Sequence, residues 1–527
     1  MFPYLPNMAY RDKIKKHTQT KFLGYDHNVS SHDGAIWDMS NLTSDFFPMI
    51  CPRARRVLYK TIENPNGLFS YDDRLYYVSG TTLYADDTAI GNVTDSKKTF
   101  TALGAFIVIL PDKVAYNRLT GELLPIESKF TGAIRLQNGT IYSEAADANT
   151  IYAQGVSFAS YFKAGDAVTI SGCAVHPSNN KTAIIREIDG AYLRFSEHCF
   201  EIATNGDAES GVTISRDMPD MDFIIENENR LLGCSGDTIY ASKLGDIFNW
   251  NVFDGVSTDS YAVQVGGGGD FTGAIRFLGY AHFFKSDSVF RVYGNRPSNF
   301  EVMGSASMGV MAGCDKSLCI AGETLFYLST AGIVAYRGGM PQTIAQAFGT
   351  DKYKNAVGGS DGQKYYVSME NEEGGHTLFV YDTERNMWHK EDNTNAVSFA
   401  RTQELYFLTN EGQIYKTRDS GEDEKKEAAF LSFVEFSDFI ENSPNKSATG
   451  KLQLRLRLDE GATMSILIQY DSDGVWHEIK TLHTHIKRSY YLPIIPRRCD
   501  HFRIRINATG EYSIFSLTRE GYIGSEM

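Results

Sequence analysis

A chain of 527 residues with 42% hydrophobic and 13% aromatic content is too long for one ordinary core and can build several, about two to four domains. Its formal net charge of -14 excludes a protein that grips nucleic acid non-specifically, because phosphate binding needs surplus Lys and Arg to release counterions. Thirty Tyr, 32 Phe and 47 Gly against 14 Pro combine strand formers with turn formers, so composition predicts an all-β fold.

Charge is unevenly spread. Residues 1–60 hold nine Lys or Arg against five Asp or Glu, a balance of +4 that leaves -18 for the rest. This start is expected to be an extended basic arm over residues 1–67, meeting an acidic partner or simply solvated. Lys21–Tyr25 is a candidate strand within it. Seven cysteines, at 51, 173, 199, 234, 314, 319 and 499, lack any CxxC pair and predict free, mostly buried thiols in a reducing compartment. No charged-then-apolar leader and no apolar run near 18 residues occurs, so synthesis in the cytoplasm without a lipid-spanning helix is expected.

From Leu68 the chain repeats one form: apolar strand, Gly/Asp/Asn turn, aromatic strand. Seven units carry it, at 68–85, 99–117, 222–250, 274–294, 317–338, 356–390 and 396–417. The last five start 52, 43, 39 and 40 residues apart, and a spacing near forty suits one four-stranded propeller blade. The prediction is a β-propeller of about seven blades over residues 68–128 and 221–418, with an amino-terminal strand able to complete the last blade.

Besides the basic arm, two parts do not repeat. Residues 129–220 read as an inserted small β-barrel domain of about five strands, with strand patterns at 161–175, 181–195 and 211–217. The run DSGEDEKKE at 419–427 marks a boundary. Beyond it, KLQLRLRL (451–458) and TMSILIQYDSDGVWHEI (463–479) alternate strictly around an Asp-Gly turn, and HFRIRI (501–506) and YSIFSLTREGYI (512–523) add further strands, predicting a C-terminal β-sandwich over 429–527.

The scan for chemistry returns no GxxxxGK[ST], HExxH or GxSxG. Gly266–Gly269 leads into another β unit rather than a helix, so an inter-blade loop is expected instead of a phosphate cradle. Asp471-Ser-Asp-Gly474 is expected to be a hairpin turn rather than a calcium loop. His483 and His485 share a strand face without further ligands, so no metal and no cofactor is assigned. Ser242–Trp250 (SKLGDIFNW) is similar to the Asp-box turn of sialidase propellers, and Tyr381–Trp388 to kelch-type strand ends; in both, Trp250 and Trp388 are expected to pack blades. Arg53, Arg55, Arg56 and Lys60 form the densest basic cluster and are expected at a subunit interface, bridging to an acidic neighbour. Arg497, Arg498, Arg503 and Arg505 form a second.

On Ser242–Trp250, Val265–Thr272, Phe284–Tyr293, Leu328–Pro341 and the opening run Asn41–Arg56, the propeller half resembles bacteriophage tail-nozzle and DNA-stabilisation (head-to-tail) proteins of short-tailed phages. The insert and sandwich depart from that family's compact pattern. The resemblance implies a non-enzymatic virion building block of the tail or head-tail connector, made in the bacterial cytoplasm. It further implies six or more copies in a ring, other tail or portal-adaptor proteins as partners, and DNA passing the lumen without tight binding during ejection. The alternatives are a glycan-binding or glycan-cleaving β-propeller, with aromatic residues as stacking surfaces, and a receptor-binding tail protein.

Overall fold

The computed structural model describes residues 13–28, 35–137, 149–195, 200–202, 207–418, 421, 425–440, 446–483 and 488–523. Over these residues the chain is all-β, with short 3-10 turns and no α-helix. It divides into two compact units, residues 63–318 and residues 1–62 with 319–527.

The 63–318 unit contains four antiparallel four-stranded sheets, at 65–92, 99–125, 223–264 and 273–306, each with its strands in chain order. Tight turns set that order. Asn227 pairs with Arg230 across Glu228 and Asn229, both at positive φ (52° and 57°), and Tyr71 pairs with Arg74 across Asp72 and Asp73 (53° and 57°). Two successive left-handed residues give a turn whose twist matches the flanking strands. Sheets adjacent in sequence share cores: Tyr76, Val78, Ile107 and Ile109 join the first two, and Cys234, Ile239, Phe283 and Val292 join the last two.

Between the second and third sheets lies a closed barrel. Its strands run Ser128–Gln137, Thr150–Tyr152, Tyr192–Phe195, Thr182–Asp189, Ala167–Ser171 and Asp207–Arg216, the last pairing back onto the first. Six strands replace the five expected. Ser128–Gln137 buries only Phe130, Ile134 and Leu136 among polar neighbours, so its strand pattern is weak in isolation.

The other unit holds sheets at 319–343 and 353–390 and a third in which 396–416 is completed by Val57–Thr61 pairing with Gln413–Lys416. It also holds two further antiparallel sheets. One orders Lys13–Gln19, Tyr512–Ile523, Ser447–Leu458 and Arg488–Leu492; the other orders Ile36–Ser40, Leu431–Phe436, His501–Thr509, Thr463–Tyr470 and His477–Leu482. Leu452, Leu454, Leu456, Met464, Ile466 and Ile504 are fully buried, and the hydroxyls of Ser432 and Tyr512 bond at 2.8 Å from one sheet to the other.

The opening residues therefore correct the extended-arm expectation for 1–67. Lys13–Gln19, Ile36–Ser40 and Val57–Thr61 are strands of three different sheets, and Lys21–Tyr25 contributes only bridges at Tyr25 to Ile36 and Trp388. Pairing satisfies backbone groups that a free arm would leave to water. No helix among the described residues is long and apolar enough to cross a membrane.

Candidate functional site

The stretch from Arg230 to Ser260 is organised by one cation. Arg230 has 0% exposure, and its Nη1 donates to the carbonyls of Ser242 (2.7 Å) and Asp259, while Nη2 donates to that of Ser257 (2.9 Å). Among the described residues its Nε has no acceptor. Burial lowers its pKa, against the partial opposition of Asp259. Asp259 instead accepts the N–H groups of Gly255 and Val256 on Oδ2.

Within this loop Asp246 accepts from the Phe248 N–H (2.8 Å) and the Asn249 side chain (2.6 Å), while Gly245 takes φ +70°. This Asx-type turn presents Trp250 to the core. Trp250 is 3% exposed, packs with Leu103, Val108, Met218 and Leu231 between the 99–125 and 223–264 sheets, and donates to the Ile247 carbonyl at 3.1 Å. Trp388, also 3% exposed, sits 4.9 Å from the rings of Phe348 and Tyr381 and donates to the Ile344 carbonyl at 2.8 Å.

The first basic cluster is not an exposed interface, which corrects the expectation for Arg53 and Arg56. Both are buried within the chain. Arg53 binds Glu427 through two terminal nitrogens (2.8 and 2.7 Å) and Asn41 through Nε. Arg56 reaches Glu391 (2.6 Å) and Asp392 (2.8 Å). Burial opposes the Arg56 charge, but Glu391, Asp392 and Glu427 outweigh it and its pKa is raised. Burial likewise raises Asp392 and Glu427, yet Arg56 and Arg53 respectively lead the effects that hold both below their ordinary values. Arg55 is half-buried with Glu511 nearby, and Lys60 is half-buried on Val57–Thr61, opposite Ile414. Sequence spacing placed the four together; only the fold turned two of them inward.

The second cluster is also paired internally: Arg503 with Asp438 and, at 3.3 Å, Glu435, and Arg497 with Asp473 at 3.7 Å. Asp471 and Asp473 accept backbone N–H groups from Asp500 and Val475, which uses them in the turn between Thr463–Tyr470 and His477–Leu482. His483 follows that second strand; His485 lies outside the described residues. The described cysteines are free, and burial pushes the Cys173 and Cys499 thiols up to about 11, which suppresses the nucleophilic thiolate. Cys199 lies outside the described residues.

Gly266–Gly268 line a groove of about 530 Å³ with Phe290 and Gly304, and the loop continues into the strand Gly273–Phe277. Lys285, 1% exposed, donates to the Gly267 carbonyl (3.2 Å) with its ammonium 5.2 Å from the Phe271 ring centroid. The lysine tethers the glycine loop; sequence reading missed it because nothing local distinguishes a buried Lys from a solvated one.

No protein-family model matches the chain, and no curated protein matches it. Among solved structures, Kluyveromyces lactis Hsv2 is 11% identical, covering 51% of this chain and 88% of its own, at a TM-score of 0.28. An exo-beta-1,3-galactanase from Phanerochaete chrysosporium is 8% identical over 56% of this chain and 96% of its own, TM-score 0.18. A mutant Trypanosoma rangeli sialidase is 9% identical over 97% and 95%, TM-score 0.21. Similarity at this level carries no inference about the chemistry of this chain.

Proposed function

We propose that the chain is a non-enzymatic β-propeller building block of a bacteriophage tail or head-to-tail junction, of the tail-nozzle and DNA-stabilisation type, working as a ring around the DNA channel. Its four-stranded sheets are the blades, seven in number. The observation that carries the reading is the resemblance of Ser242–Trp250 and Leu328–Pro341 to that family, set in a chain whose repeat units each correspond to a four-stranded antiparallel sheet. Two physical features support it. The net charge of -14 suits a lumen through which DNA slides, because surplus carboxylates do not hold phosphates. The buried arginines of both units are committed to internal pairs and carbonyls, as a scaffold under mechanical load requires. Partners are then further copies of the chain and neighbouring tail or portal-adaptor proteins, and its place is the virion tail.

Electron microscopy of the purified protein and of particles tests the reading. Cyclic multimers of six or more copies are expected. A strict monomer that is absent from particles overturns it.

A further inference from the structure

A second cavity, of about 390 Å³, lies in the unit containing residues 319–527, between the end of the 319–343 sheet and the Tyr381–Asn386 turn. Its volume falls within the range of small-molecule sites, roughly 300–1,000 Å³. Arg337, Gln342, Asn386 and Thr383 supply its polar wall, and Phe326 and Tyr381 its aromatic one. Among the described residues no Asp or Glu lines it, in a chain that carries 65 acidic residues.

The free groups of this wall are mainly donors. Arg337 is anchored through Nε to the buried Thr324 hydroxyl at 2.9 Å, and its two terminal nitrogens have no partner among the described residues. Asn386 accepts the Tyr381 hydroxyl on Oδ1 at 3.2 Å, which leaves its Nδ2 to donate elsewhere. Thr383 spends its hydroxyl hydrogen on the Gln363 carbonyl (2.6 Å) and keeps its lone pairs. Phe326 and Tyr381, 1% and 6% exposed, pack at 5.6 Å and back the polar groups rigidly.

A guanidinium held at Nε with both terminal nitrogens open is a fork for a carboxylate. Amide and hydroxyl groups beside it suit ring hydroxyls. We infer that this cavity binds a carboxylate-bearing sugar, with Arg337 holding the carboxylate and Asn386 and Gln342 the hydroxyls. The site is independent of ring assembly and gives the chain a means of holding acidic polysaccharide.

The test is calorimetric titration of the full chain with tetragalacturonate, its methyl ester and an Asp-Glu tetrapeptide. Tetragalacturonate should bind, and the ester, which keeps the rings and loses the charge, should bind about tenfold more weakly or not at all. Arg337→Gln should weaken tetragalacturonate binding by about tenfold or more. Because Arg337 is exposed, its unfolding midpoint should match the parent's, which separates lost binding from lost folding. Equal binding of ester and acid, equal binding of the parent and Arg337→Gln, or no binding at all overturns the inference. Tighter binding of the tetrapeptide also overturns it, by identifying an acidic side chain as the ligand.

Discussion

Arg56 and Arg230 are both buried, one in each unit, and are held in opposite ways. Arg56 lies among three carboxylates that raise its pKa; Arg230 donates to backbone carbonyls and has its pKa lowered by burial. The first neutralises charge, so its partners become liabilities once it is gone. The second gathers loop carbonyls, so its partners are neutral. A cluster of arginines in a sequence thus says little until it is known whether charge or backbone receives them.

The sharpest way to break the comparison is Arg56→Met. It leaves Glu391 and Asp392 with Arg53 as their cation, at 3.7 and 3.3 Å, and should cost about 3–5 kcal/mol at neutral pH by urea unfolding. The sign with pH is diagnostic. In the parent, Asp392 and Glu427 have lowered folded-state pKa values, so the stability they contribute is present above their unfolded values of about 4 and lost as pH falls. In Arg56→Met the three buried carboxylates outnumber the one remaining guanidinium, so the loss of stability should shrink as acid protonates them. Parallel pH profiles for the two proteins would show that the carboxylates are not the issue.

Trp250→Ala should also cost about 3–5 kcal/mol, through a cavity between the 99–125 and 223–264 sheets. Trp388→Ala should do the same in the other unit. An unchanged fluorescence-monitored unfolding curve for either variant would remove that indole from the packing account. Arg230→Met should cost less, about 1–3 kcal/mol, because it leaves carbonyls rather than charges unpaired, and its loss should not vary between about pH 4 and pH 7. A strong acid recovery there would mean that Asp259 is the true partner.

His389 sharpens the contrast on the Arg56 side. Burial, then Lys364, pushes its pKa down to about 3. A depressed folded-state value for a base means stability complete above the unfolded value of about 6.5 and lost as pH falls towards 3, at roughly 1.4 kcal/mol per pH unit. His389→Gln should flatten that slope in hydrogen exchange of the 353–390 sheet, and an unchanged slope would assign it to other groups. The smallest effect is expected from Gly245→Ala. No atom lies within 4 Å of the added carbon, so only its φ of +70° is penalised, at about 1 kcal/mol by thermal unfolding.

Much of the local architecture is legible in the sequence alone. Tyr470 and His477 flank the Asp471–Gly474 turn, and the alternation of Ser447–Leu458 is the alternation of its burial, because both depend on residues adjacent in the chain. The candidate sites are less legible. The basic run Arg53–Lys60 announces a cluster but not its direction, since Glu391, Asp392 and Glu427 arrive from more than 330 residues away. Arg230 and Lys285 give no signal, because a single cation where a strand meets a turn reads the same whether buried or solvated. The donor-rich wall around Arg337 is assembled from a strand end and a turn about fifty residues apart, a separation that no motif spans.

By itself the sequence determined the all-β class and the sites of many turns, since strand alternation and turn chemistry are local demands of the backbone. Tertiary structure alone decided which edges pair. Val57–Thr61 completes the sheet of Gln413–Lys416, Lys13–Gln19 joins Tyr512–Ile523, and Arg53 and Arg56 face inward. An unpaired strand edge accepts any partner of suitable geometry, and the choice among partners is made by burial of the whole unit rather than by the strand's own residues.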